Sequence, residues 1–227
     1  MLTQPQGFLE GLRDLCDQHE VLLIADEGMT GLGRTGRMFA CEHENVTPDL
    51  MPLASGLTGG YLPLAATLST ERIFDAFRGT SDEGKMFAHG HSYMGNPLGC
   101  AAALAVLRIF EKGKILEGMR KTLHWFRNEL QEFYEVPQVG DIRICGTLMG
   151  FEIVEDPESR KPYPPAVRMG RRVVQEARRR GAILRALENV VMLTPPLAMS
   201  TAELGKLASI TLESIRAVVA SSGTSGS

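Results

Sequence analysis

Tryptophan occurs once in this 227-residue chain, aromatic residues make up 6%, and cysteine occurs four times with no CxxC pair. Cysteines scattered at 16, 41, 100 and 145 do not frame a disulfide-stapled scaffold or a zinc site. They read as reduced, buried thiols of a cytosolic protein. No run of about 18 apolar residues is present, which excludes a membrane-spanning helix. The opening MLTQPQGFLEGLRDLC has neither the basic nor the apolar part of a secretory signal, so a cytoplasmic protein is expected. An excess of one charge is also lacking: 24 Lys and Arg stand against 27 Asp and Glu, a net of −3. That balance leaves no electrostatic footprint for nucleic acid. The arginine-rich stretch from Arg168 to Arg180 reads as the solvated face of a helix. What remains, 44% hydrophobic and 22% charged, is ordinary globular composition, with length for one large or two modest domains.

Apolar spacing predicts a helix over residues 6–19. The run VLLIADE that follows is continuous and ends in two acids, the pattern of a parallel strand buried on both faces. Residues 50–53 and 64–68 are shorter strand-like runs bounded by glycine and proline. Asn96-Pro97 opens a helix through residue 113, with proline at the first turn where its missing N–H does no harm. A second helix is expected over 114–134. Beyond Pro137 the glycine-broken alternation of VGDIRICGTLMGFEIVED predicts an antiparallel hairpin. A helix over 165–180, short strands at 183–185 and 190–193, and an amphipathic helix over 201–219 complete the reading. These elements predict a larger domain over 1–112, a smaller α/β domain over 113–220 and a flexible tail, SSGTSGS, over 221–227.

Three segments carry chemistry. Asp26 ends the first strand, and a side chain at the carboxyl end of a parallel strand points into the crevice where ligands bind. Gly31 to Gly36 spells GxGxxG, but its glycines do not open a helix and no acidic residue follows a second strand, so a dinucleotide site is rejected. The third segment is HGHSYMGNP at 89–97. Its two histidines, spaced i, i+2 with no acidic partner, make a weak metal site.

Taken together, VLLIADEGMTGLGRTGRMFACEHENVTPDL, PDLMPLASGLTGGYLPLAATLST and HGHSYMGNP resemble the class III, fold type I aminotransferases, which use pyridoxal phosphate. Within that family the biotin-pathway branch is the most similar. The resemblance covers nearly all of residues 1–220 and implies the C-terminal half of a full enzyme. The implied fold is α/β: part of the family's large domain, with a partial, mainly parallel sheet and helices, plus the small C-terminal domain. It implies that Asp26 pairs with the cofactor's pyridine nitrogen, keeping it protonated so that the ring accepts electrons. It implies that Ser92, with His91 beside it, meets the cofactor phosphate of a neighbouring subunit, and that Gly90 lies near the substrate. Arg185 falls where the family clamps a substrate carboxylate, for which a planar guanidinium fork is suited.

Four departures set the expectation for function. Position 55, where the family has its imine-forming lysine, is Ser55, and a hydroxyl forms no Schiff base. Gly28 stands where a branched residue packs on the ring. Ala186-Leu187-Glu188 replaces the usual Pro-x-Gly after the arginine, and Glu188 is a candidate ion-pair partner for Arg185. The glycine-serine phosphate loop and the ring-stacking aromatic are not found. The chain alone is therefore expected to be catalytically inactive, with pyridoxal phosphate binding in doubt. Its partners are expected to be a second copy of itself or a complementing N-terminal half, with a non-catalytic assembly module as the alternative role. Half a sheet leaves strand edges and apolar surface that such a partner would cover.

Overall fold

The structure, a computed structural model, describes residues 1–223 and divides the chain into two compact units. One is Gln4–Glu117; the other is Gly118 to the C-terminal end, joined by Met1–Thr3. Of the tail expected over 221–227, residues 224–227 lie outside the described residues, whereas the last helix continues through Gly223.

The first unit opens with α1 (Phe8–Gln18). Gly7, at φ 84°, supplies no side-chain cap, so the free N–H groups of the first turn need another acceptor. Glu44 provides it: its carboxylate accepts from the backbone N–H groups of Gly7, Leu9 and Glu10 at 3.0, 2.8 and 2.9 Å. Those donors, Glu10 foremost, hold the Glu44 carboxyl below its usual range. Asp49 is a second tie. It accepts from the Leu23 N–H at 2.9 Å, from Arg13 on α1 at 2.8 Å, and from Arg72 at 3.1 Å.

The VLLIADE segment departs from expectation. Only Ile24 forms a β-bridge, parallel to Leu50, while Ala25 and Glu27 donate to the carbonyls of Leu50 and Pro52 at 3.0 Å each. Rather than buried on both faces, Val21, Leu22 and Ile24 are 56, 47 and 61% exposed. The physical reason is that, among the described residues, no second strand pairs with its other edge. Next, β1 (Leu50–Leu53) pairs antiparallel with β2 (Ala66–Ser69), two residues later than the run at 64–68 suggested. A short helix α2 (Glu71–Ala76), unread in the sequence, follows. Then α3 (Pro97–Lys112) begins as predicted, with the Asn96 side chain accepting the Leu98 N–H at 3.0 Å. The unit's apolar clusters are small, one around Leu23, Cys41 and Val46 and one around Leu32, Leu53 and Leu57.

The second unit holds most of α4 (Ile115–Glu129), which ends sooner than residue 134 because a 3-10 turn takes over at Gln131. The hairpin appears as β3 (Val139–Cys145) and β4 (Leu148–Asp156), turned at Gly146 with φ 60°. β5 (Lys161–Pro162) pairs with β4. α5 (Met169–Arg179) starts four residues later than expected, since Pro165–Val167 is a 3-10 turn and Arg168 is left-handed at φ 51°. β6 (Arg185–Leu187) and β7 (Val190–Leu193) complete an antiparallel sheet ordered β3-β4-β7-β6, and α6 (Thr201–Gly223) closes the fold. Phe133 stacks on Phe151 at 4.4 Å inside a single core with Phe126, Met149, Ile153, Val191, Val173 and Ile215. All eight are 0 or 1% exposed. Of the four cysteines, none disulfide-bonded, only Cys41 is buried, and Cys100 on α3 is exposed, contrary to the expectation of buried thiols.

Candidate functional site

Neighbouring acids at the end of the first strand segment point opposite ways, as alternation along an extended chain requires. Glu27 is buried, 3% exposed, and accepts the Cys41 N–H at 2.8 Å and the Thr30 hydroxyl. It is a structural anchor that the sequence reading missed; the pairing of two acids at a strand end was its only signal. Burial, then the Glu27 carboxylate, pushes the Cys41 thiol up to about 11. Asp26 faces solvent, and its Oδ1 accepts the Gly28 N–H at 2.9 Å. A Cβ added at Gly28 would lie 3.0 Å from that oxygen and 3.4 Å from Ala54 Cβ. The turn after Asp26 therefore runs close to Ala54, the residue preceding Ser55.

Ser55 starts a 3-10 turn, Ser55–Thr58, locked from both ends. Its carbonyl accepts the Gly60 N–H at 3.0 Å, and the buried Thr58 hydroxyl donates to the Leu62 carbonyl at 2.5 Å. Gly59 and Gly60, at φ 61° and 82°, permit the reversal. Ser55 is exposed and lines a cavity of about 1040 Å³ with Phe74, Phe77, Phe87, His91 and Tyr93 among the walls. None of the residues lining it is a lysine.

The structure thus brings Ser55 and His91 to one cavity. Gly90, Ser92 and Asp26 are exposed and not on its wall. In the 89–97 loop, the Tyr93 N–H donates to His91 Nδ1 at 3.2 Å, a local turn that fixes the ring. Arg185 belongs to the second unit. It opens β6, is exposed, and lines a cavity of about 500 Å³ with Arg168, Arg171, Tyr163, Glu188 and Asn189. The β6–β7 turn forms without Pro-x-Gly by placing Glu188 at φ 52°, a conformation uncommon for a residue bearing Cβ. The candidate Arg185–Glu188 ion pair is not among those of the described residues.

The family signature described as Aminotransferase class-III matches residues 1–215. The chain belongs to the class III aminotransferases. Among relatives, the adenosylmethionine-8-amino-7-oxononanoate aminotransferase of Nitratidesulfovibrio vulgaris is 53% identical over 91% of this chain and 38% of its own length. That of Geobacter sulfurreducens is 48% identical over 90% of this chain and 45% of its own length. The crystal structure of the same enzyme from Methanocaldococcus jannaschii superposes with a TM-score of 0.92 at 42% identity, covering 96% of this chain and 50% of that one. This class III chain therefore spans about half the length of the relatives it matches, and its fold is that of the fold type I transaminases.

Proposed function

We propose that this chain is the aspartate-strand and small-domain portion of a biotin-pathway aminotransferase, and that it does not transaminate by itself. Its ancestral reaction is amino transfer to a keto acid such as 8-amino-7-oxononanoate, a reading supported by the relatives' identity of 53 and 48%. The observation that carries the inactivity is Ser55, held in a rigid turn beside the Asp26 strand end, with no lysine on its cavity. The family uses pyridoxal phosphate, whose bound ring supplies an electron sink. The residues present do not fit that group held as an imine: no amine is offered at position 55. Nor is there free room at Gly28 for the family's branched side chain, whose Cβ would lie 3.0 Å from Asp26 Oδ1 and 3.4 Å from Ala54 Cβ. Asp26 remains available to face a ring nitrogen, Ser92 with His91 and Gly90 to meet a neighbouring subunit's ligand, and Arg185 to clamp a carboxylate.

The partner reading rests on exposed apolar surface. In the first unit Phe74, Phe77, Phe87, Leu98, Leu104 and Ile109 are between 46 and 69% exposed, apolar surface of the kind that interaction sites present. A second copy, or a complementing half whether attached or separate, would cover it. That same surface favours the alternative, a non-catalytic assembly module that pairs with itself or with an aminotransferase-like partner.

One titration tests the inactivity that both readings share. Pyridoxal phosphate is added to the purified chain, followed by borohydride reduction and mass analysis. No stable absorbance shift and no reduced adduct are expected. A specific adduct on one lysine would overturn the reading and name the residue that replaces position 55. Sedimentation completes the test: self-association is expected, and a clean monomer at low concentration would count against the assembly role.

A further inference from the structure

Little apolar burial holds α1 on the first unit. None of its residues is buried. Leu9, Leu12 and Cys16, one face of the helix, pack partly buried on the cluster of Leu23, Cys41 and Val46, while Phe8 and Leu15 are 46 and 54% exposed. Eleven residues are few for a helix to stand alone in water, and Gly11 in the interior lowers the propensity further. Two polar latches offset this. At the amino end Glu44 is the cap: Oε1 accepts the Gly7 N–H, and Oε2 those of Leu9 and Glu10. Midway, Arg13 reaches Asp49 at 2.8 Å and Asp17 on its own helix at 2.6 Å. Among the described residues Arg13 Nε is buried without an acceptor, a cost carried only while α1 is docked. The rest of the unit keeps its own ties. Without Arg13, Asp49 still accepts from the Leu23 N–H and from Arg72. The β1–β2 ladder, Leu50–Leu53 on Ala66–Ser69, takes no pairing from α1.

We propose that α1 is a detachable strap: it lifts from its seat as one piece and melts on lifting, while the β1–β2 ladder stays paired. Lifting uncovers the seat, Cys41 included, so alkylation of that thiol reports the open state. The proposal draws on neither position 55 nor a partner.

The test is hydrogen exchange of the full chain, together with iodoacetamide alkylation read cysteine by cysteine by peptide mass. In the unaltered chain the amides of 12–18 should share one opening, more frequent than that of 51–53 and 66–69. Glu44→Gln removes the charge facing three amides. It should speed both α1 exchange and Cys41 alkylation about three- to tenfold and leave the ladder unchanged. Burial first, then Glu27 and Glu42, raise the Cys41 thiol, so the Glu44 change reads the latch rather than thiol acidity. Gly11→Ala adds a Cβ that meets nothing within 4 Å and should slow both readouts about two- to fivefold. Asp75→Asn on α2, which pairs with Arg78, should move neither, and exposed Cys100 should react at one rate throughout. Equal acceleration of the ladder, α1 amides protected as well as the ladder's, or Cys41 alkylation indifferent to both variants would overturn the proposal.

Discussion

Asp49→Asn isolates what one carboxylate contributes to the first unit. The side chain is 11% exposed and ties three elements: the Leu23 N–H, Arg13 on α1 and Arg72 on α2. These donors, the Leu23 amide first and Arg13 next, bring the Asp49 carboxyl from 3.8 down to about 2. Taken whole, that depression is worth about 2.5 kcal/mol. Arg72 is 74% exposed, so solvent screens its share, and we set the cost of the asparagine at about 1–2 kcal/mol. The folded carboxyl lies below its unfolded value. Its contribution is therefore complete above pH about 4 and is lost as pH falls toward 2. Native-state amide exchange reads this locally. At pH 6 the amides of residues 20–26 should exchange about 5- to 30-fold faster in the variant, while those of 140–155 stay unchanged. Near pH 2 the two proteins should converge. Equal acceleration in both segments, or a gap that persists at low pH, would refute the assignment.

Three other outcomes are expected. Ser55→Lys alone should give no borohydride-reducible pyridoxal phosphate adduct at residue 55, checked by peptide mass; an adduct there would mean that the chain already holds a complete site. Gly28→Val should dislodge the Asp26 carboxylate from the Gly28 N–H, because its Cβ would sit 3.0 Å from Oδ1; the Asp26 carboxyl carbon resonance should shift, at a cost of about 1 kcal/mol in stability. Phe151→Ala removes a ring with no exposed surface stacked on Phe133, and should cost the second unit about 3–5 kcal/mol in urea unfolding followed at Trp125.

The sequence was most legible where local chemistry decides structure. Asn96-Pro97 marked the start of α3 because cap and first-turn preferences act within four residues. The β3–β4 hairpin was legible from its alternation and its glycine turn. The strand VLLIADE misled because a continuous apolar run reports burial by neighbours, and pattern alone does not say whether those neighbours are in the same chain. α2 went unread because six residues are too short for periodicity to emerge. At the site, motif context singled out Asp26 and Ser55, and the structure places them at an exposed strand end and on a cavity wall. The inward role of Glu27, the hub at Asp49 and the grouping of Arg168 and Arg171 with Arg185 all depend on contacts between residues distant in sequence.

The contrast between the two units bears on how heat will take the chain apart. From Gly118 onward one apolar cluster gathers Phe126, Phe133, Phe151 and Ile153 out of water, whereas before it the clusters are small and Val21, Leu22, Ile24 and Leu68 are wet. Cooperativity follows closure of a core, so the two halves should not melt together. A single midpoint temperature is then not a property of this molecule: a calorimetric trace should show a sharp endotherm from the second unit and a broad, shallow signal from the first. Only a ligand or partner that closes the first core would merge them.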